Sequence, residues 1–289
     1  MIVLSDFRQL FGLARPVNLL IAALTFAFSA YISHLFSFTF VEEWVFWVEM
    51  SLIVTIMAGG YWINDVADLS IDRINKPHLV RVSIYISAKK VMTAYFVANA
   101  FVLLGSLLLP PKFQLLNLSA VLVLYVYAQR FKRQAVIGNL LIAALSAAVV
   151  LAGGLTAHLK MAHLWGIILS FQLTFVREIS KDVEDLRGDL QHGLQTLPIL
   201  VGIRQSRRVI WVALGVLLLS CNLPLLVHWL VFDVVLRFYI GISMVLVQLP
   251  LLMAVKKLGR SRRPSDFGEL SQMLKFIMVM GLLSLLAIR

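Results

Sequence analysis

"SLIVTIMAGGYWINDVADLSIDR", residues 51–73, runs from an apolar stretch straight into three aspartates, Asp65, Asp68 and Asp72. The apolar part reads as a helix. The acids that end it stand at i, i+3 and i+7, which on one continuous helix, at about 100° per residue, share a face. "KDVEDLRGD", residues 181–189, repeats the pattern with Asp182, Asp185 and Asp189. At an offset of 117 residues, "DVADLSID" and "DVEDLRGD" agree at five of eight positions.

The surroundings of these acids set the class. Of 289 residues, 60% are hydrophobic and 14% charged, and the mean hydropathy is +0.89. A soluble domain holds far more charge, so the composition is that of a polytopic membrane protein. A span needs about 20 apolar helical residues. Nine runs qualify as candidates: Val17 to Phe36, Trp44 to Ile63, Val91 to Leu109, Leu115 to Ala128, Val136 to Ala157, Leu164 to Phe175, Val209 to Leu230, Val234 to Val255 and Leu270 to Ile288. The fourth and sixth are short unless Gln129, Arg177 and Glu178 also lie at membrane depth. The expectation is an all-α fold of nine transmembrane helices in a single domain, 1–289. Long lipid-facing segments must satisfy their backbone hydrogen bonds internally, and alternating barrel strands are not seen.

Charge tests that topology independently. With the N-terminus inside, the inside segments hold 21 of the 26 basic residues, from Arg8 and Arg15 to Arg262 and Arg263. The opposite side holds Lys112, Lys160, Arg237 and Arg289, and Lys275 falls within the last run. This positive-inside pattern places the N-terminus and both acidic motifs on the cytoplasmic side. It also explains the net charge of +11 through orientation and anionic lipid headgroups, with no nucleic acid required. The first run is long enough to be a retained helix rather than a cleaved signal. Cys221, the single cysteine, reads as a packing residue.

Both motifs follow even-numbered runs, so they emerge on one side and can face each other. Like charges on one helix face repel, and something must compensate. An interfacial ion network through Arg73, Lys76, Arg177, Lys181 and Arg187 is the simpler reading, but it does not account for the spacing occurring twice. Oxygen ligands without clustered His or Cys point to Mg²⁺, with Ca²⁺ as the nearest rival. Mg²⁺ accepts one or two carboxylates and completes its shell with phosphate. Two facing clusters therefore describe a diphosphate bridged by magnesium ions, and a membrane cavity suits one carrying a long hydrocarbon tail. The matching chemistry is ionisation of an allylic C–O bond in an apolar, water-poor cavity.

These motifs resemble the UbiA superfamily of intramembrane prenyltransferases. The resemblance rests on "RPVN" (15–18), "NDVADLSIDRINKP" (64–77), "YAQRFKR" (127–133) with "IGN" (137–139), "REISKDVEDLRGD" (177–189) and "TLPILVG" (196–202). It implies a helical bundle around a central cavity, capped by inside loops at about 64–90 and 177–208. It implies Asp65, Asp68, Asp72, Asp182, Asp185 and Asp189 as the catalytic magnesium ligands, with Asn64 beside them. Arg73, Lys76, Tyr127, Lys132, Arg177 and Lys181 would neutralise or orient a polyprenyl diphosphate, and Asn18 and Asn139 would line the cavity near the reacting centre.

Each of these residues has a plainer reading: membrane anchors for the cations, an interfacial belt for Tyr127, helix-to-helix hydrogen bonding for the two amides. His78 and His192 read as solvated loop residues. "REISKDVEDLRGD" is most similar to the branch that adds geranylgeranyl to geranylgeranylglyceryl phosphate, a lipid acceptor whose phosphate needs further cations. Arg81, Lys89, Lys90, Arg204 and Arg207 are candidates for that. Transfer to an aromatic acceptor in quinone biosynthesis is the alternative, and a transporter or lipid-binding protein, with acids near mid-membrane, the more distant one. One departure stands out. After "NKP" the family continues with arginine and then a glycine near a turn, whereas this chain reads "HLVRVSIYIS", with Leu79 and Ser83 near those positions and Arg81 as the candidate substitute.

Overall fold

The computed structural model describes residues 4–228 and 241–285, and among them the chain is helical apart from turns and two isolated bridges. The helices are α1 Leu4–Leu13, α2 Pro16–Ser33, α3 Trp44–Ala67, α4 Leu69–Asn75, α5 Ala88–Ser106, α6 Pro111–Gln129, α7 Ile137–Gly154, α8 Met161–Glu184, α9 Leu186–Gln191 and α10 Leu197–His228. Two more close the chain: α11 Gly241–Arg260, which contains a π-helical turn at Met244–Gln248, and α12 Pro264–Leu285. Every expected apolar run falls at least partly on a helix. Arg237, Arg289, the start of the run from Val234 and the ends at Leu230 and Ile288 lie outside the described residues.

Six of these helices, α2, α3, α6, α7, α11 and α12, are long and apolar enough to cross a membrane. The other three expected spans fall on α5, α8 and α10, which carry charge: Lys89 and Lys90 open α5, Arg177 to Glu184 end α8, and Arg204, Arg207 and Arg208 lie near the start of α10. The stretch 177–184 is thus helix, where a loop is expected. The caps are short helices, α4 and α9.

The internal repeat is visible in the architecture. Helices α3 and α8 are both 24 residues long and start 117 residues apart, at Trp44 and Met161. Both end at the middle aspartate of the motif. Asp68 (φ −93°, ψ 1°) and Asp185 (φ −88°, ψ 4°) sit in the bridge region, and a short cap helix follows each. The backbone ladder continues across both bends, from Asp68 N–H to Asn64 C=O and from Asp72 N–H to Asp68 C=O, each 2.8 Å. The unbroken helix that the i, i+3, i+7 spacing predicts is replaced by two helices meeting at a kink.

Packing joins the two halves. α7 packs on α2 and α8, α3 on α5 and α6, and α8 also on α10 and α12. Lipid offers little hydrophobic drive between helices, so close approach and hydrogen bonds hold them. Gly153 lets α7 touch α2, since a methyl group there would collide with Ser29 and the Phe26 carbonyl, while the Ser33 hydroxyl donates to Gly154 C=O at 3.0 Å. Cys221 is buried in the cluster built from α8, α10, α11 and α12, as its packing reading predicts. Helix α1, outside the expected spans, buries Leu10 and Leu13 against Val82, Ile86 and Val91 and leaves Phe7 and Phe11 exposed. That is the pattern of an amphipathic interfacial helix.

Candidate active site

The kinks aim both acidic motifs into one cavity of about 1000 Å³, lined mainly by α2, α3, α6, α7, α8 and α12 together with both caps. All six aspartates line it, as do Asn18, Asn64, Lys76, Tyr127, Lys132, Asn139, Arg177 and Lys181. Arg73 does not. It is exposed on α4, next to Asp72 but turned from the cavity, because adjacent residues on a helix point about 100° apart.

Each motif is held by residues from distant parts of the chain. Arg15, in a left-handed conformation (φ 55°) just before α2, places its guanidinium 2.7 Å from Asp65 Oδ1 and over the Tyr61 ring. Asn18 donates to the Tyr61 hydroxyl at 3.0 Å, so it both lines the cavity and ties α2 to α3. Lys132, in a tight turn before α7, donates to Asn64 Oδ1 at 3.0 Å and pairs with Asp68, which also accepts from Asn64. Asn139 donates to Asp182 at 2.8 Å, and Lys76 pairs with Asp185 at 2.8 Å. Arg177 and Lys181 share Glu178.

The caps are locked to each other by Asn75, which sequence reasoning passes over. Its amide donates to Asp185 C=O at 2.8 Å, and its oxygen accepts from Gly188 N–H at 2.7 Å. Gly188 is required there, since a methyl group would meet Asn75 at 2.6 Å. Gln195 N–H donates to Arg133 C=O at 2.9 Å and ties the Lys132 turn to the second cap. Asn75→Ala strands two backbone groups, each costing about 1–3 kcal/mol if buried. The expected outcome is a lower melting temperature in detergent and a turnover reduced by about tenfold or more as the two caps lose their register.

The electrostatics show acids crowded beyond what the protein neutralises. Burial, then repulsion from Asp65 and Asp185, pushes Asp72 up to about 6. Burial, then Asp185, pushes Asp189 up to about 6. Burial works against the Lys76 ammonium, yet Asp185, Glu184 and Asp72 hold it above the usual lysine range. Burial and repulsion from Lys181 bring Lys132 down to about 8.

Among the described residues no three carboxylate, His or Cys groups converge tightly enough to chelate a bare ion. The donor set is oxygen only, spread across a shared vestibule, with Asp72 and Asp189 repelled by their neighbours. That fits Mg²⁺, which takes few carboxylates per ion and draws its other ligands from phosphate.

Other expectations are revised. Of the cations assigned to an acceptor phosphate, only Arg81 lines the cavity. Lys90 pairs with Asp6 and Arg207 donates to Ser261 C=O, while Lys89 and Arg204 are exposed away from the cavity. Ser83 takes a positive φ of 67°, so the turn keeps the glycine-like geometry although the residue is serine. A further acid stands on the cavity apart from the two motifs. Glu49, fully buried near the start of α3, accepts from Asn117 at 2.9 Å and also lines the cavity. A lone acid inside an apolar run carries no spacing signal and is missed on that account.

Residues 17–286 match the model of the UbiA prenyltransferase family. Digeranylgeranylglyceryl phosphate synthase of Methanococcus aeolicus is 34% identical over 236 residues, 81% of this chain and 81% of that protein. The synthase of the same name from Sulfurisphaera tokodaii is 33% identical over 180 residues, 61% of this chain and 65% of that protein. This match thus spans just under two thirds of the relative's length. Among solved structures, a digeranylgeranylglyceryl phosphate synthase superposes with a TM-score of 0.74 at 25% identity, covering 98% of each chain. A UbiA homolog from Archaeoglobus fulgidus bound to DMAPP and Mg²⁺ gives 0.65 at 18% identity, covering 94% of this chain and 98% of that one, which is a likeness of fold.

Proposed function

The chain belongs to the UbiA prenyltransferase family, and from that premise we propose that it transfers a geranylgeranyl group from its diphosphate to the hydroxyl of geranylgeranylglyceryl phosphate, forming an ether lipid precursor in a magnesium-dependent reaction. The observation that carries this reading is the pair of kinked aspartate motifs converging on the mouth of a cavity with apolar walls. The names of the relatives supply the acceptor. The protein is an integral membrane protein of several spans. In the finer reading it is one domain, residues 1–289, with nine spans and with the N-terminus, caps and site on the cytoplasmic side, as the distribution of basic residues supports.

The residues divide the work as follows. Asp65, Asp68, Asp72, Asp182, Asp185 and Asp189 would hold Mg²⁺, with Asn64 and Asn139 orienting Asp68 and Asp182. When bound, the metal neutralises the diphosphate and favours its departure. Lys132, Lys76, Lys181 and Arg177 add positive charge where negative charge develops on the leaving oxygen. The bond from the first prenyl carbon to the diphosphate oxygen breaks, and its electron pair leaves with the diphosphate. The acceptor oxygen bonds to that carbon, and its proton passes to the departing diphosphate. Apolar residues such as Ile53, Ile56, Leu124 and Leu173 line the remaining wall and keep water from the allylic cation. Arg73, which does not line the cavity, has no direct part in this scheme.

The test is diphosphate release by purified protein in detergent with geranylgeranyl diphosphate and geranylgeranylglyceryl phosphate. Chelation is expected to remove turnover to background, and added Mg²⁺ to restore it. Full turnover in excess chelator contradicts the proposal.

A further inference from the structure

Among the described residues, Lys275 is the one cation that falls inside an expected apolar run, and the site described above does not use it. It lies on α12, lines the cavity together with Ser271 and Gln272, and has no ion pair or hydrogen bond among the described residues. A charge at membrane depth is costly, and such groups face the bundle interior and mark a bound partner.

Its depth is set by packing. Helices α8 and α12 run in opposite directions, and the Glu184 carboxylate sits against Gly268, where a methyl group would meet it at 2.6 Å. Seven residues along each helix, about 10 Å or two turns deeper, stand Arg177 and Lys275. Arg177 and Arg15, which line the same cavity, are both cations. Arg177 is answered by Glu178 and Arg15 by Asp65, whereas Lys275 has no carboxylate partner among the described residues. Gln272, one turn before it on the same wall, adds an amide donor.

We propose that Lys275, with Gln272, forms a second anion subsite, inward of the aspartates, that binds the phosphate of the glyceryl phosphate acceptor. The inference rests on the acceptor named above. With the donor's diphosphate held between the caps, its reacting carbon lies inward of them. The acceptor hydroxyl must meet it there, and the acceptor phosphate is joined to the glycerol carbon next to the one bearing that hydroxyl. An anion so close to the reacting carbon needs a cation inward of the metal site, and Lys275 provides it. Of the basic residues first assigned to an acceptor phosphate, Lys89, Lys90, Arg204 and Arg207 do not line the cavity, and Arg81 does so from the loop after the first cap.

The test compares wild type, Lys275→Met and Lys275→Arg, each purified in detergent. Binding of geranylgeranylglyceryl phosphate is titrated without magnesium or donor, and KM is measured for donor and acceptor separately with magnesium. Lys275→Met puts an apolar side chain in a membrane span, and unchanged donor KM certifies its fold. The expected result is a loss of acceptor affinity of about ten- to hundredfold in Lys275→Met, substantial recovery in Lys275→Arg and an unchanged donor KM. Unchanged acceptor affinity in Lys275→Met overturns the subsite, as does a donor KM that rises alongside it, which would assign Lys275 to the diphosphate. If wild type binds no glyceryl phosphate lipid, the acceptor reading itself falls and the subsite with it. If Lys275→Met does not fold, Gln272→Leu is titrated in its place, and unchanged acceptor affinity there overturns the subsite.

Discussion

Asp68→Ala and Asp185→Ala are each expected to lower turnover by on the order of a thousandfold, the scale of losing a group that stabilises transition-state charge in a water-poor site. These two aspartates stand at the kinks that turn α3 and α8 into their caps. Each is the middle aspartate of its motif and, in the proposed reaction, would share the metal with the acids on either side of the kink. The backbone bend itself does not depend on the side chain, because the ladder is carried by main-chain groups. Asp68→Ala also leaves Lys132 without its carboxylate, and breaking a buried pair destabilises by about 3–5 kcal/mol. Asp68→Asn, which keeps the shape and an acceptor for Lys132, separates the two effects. It is expected to melt near wild type in detergent while still losing most of its activity. If Asp68→Asn and Asp185→Ala both kept full magnesium-dependent turnover, the two-cluster site would be wrong.

Lys132→Met is expected to reduce kcat/KM for the donor by on the order of a hundredfold. Lys132 lies 117 residues after Arg15, so it is the repeat partner of the residue that holds Asp65. It crosses from the second copy of the repeat to Asn64 and Asp68 in the first. In the proposed reaction the same ammonium would meet the diphosphate oxygens. Lys132→Arg is expected to recover only part of the loss, because a planar guanidinium does not replace a compact charge in a filled turn. The double variant Asp68→Asn/Lys132→Met is expected to be markedly non-additive, since the two side chains form one unit. Wild-type kcat/KM in Lys132→Met would remove it from the site.

Much of this arrangement is legible in the sequence, for a reason specific to the fold. The offset of 117 residues between the motifs is also the offset between α3 and α8, so one sequence comparison carries both the repeat and the facing of the two acidic ends. The apolar runs locate the helices because lipid imposes composition directly on whatever faces it. The kinks at Asp68 and Asp185 escape such a reading, since the i to i+4 ladder runs through them and the spacing stays helical. Asn75 escapes because its partners are backbone groups more than 100 residues away, and a backbone partner leaves no pattern in side-chain identity. Arg73 lies off the cavity although it belongs to the motif, because motif membership says nothing about which way a residue points once α4 departs from α3. Lys275 is readable as an odd charge in the last apolar run. Its role depends on the antiparallel register of α8 and α12, which only packing reveals.

Product identification tests the central claim most directly. Purified protein with Mg²⁺ and geranylgeranyl diphosphate would be offered geranylgeranylglyceryl phosphate and 4-hydroxybenzoate in parallel, and the extracted products resolved by mass. The account predicts a doubly geranylgeranylated glyceryl phosphate, absent when Mg²⁺ is chelated, and no prenylated aromatic. A prenylated 4-hydroxybenzoate with the glyceryl phosphate lipid left unreacted would contradict it.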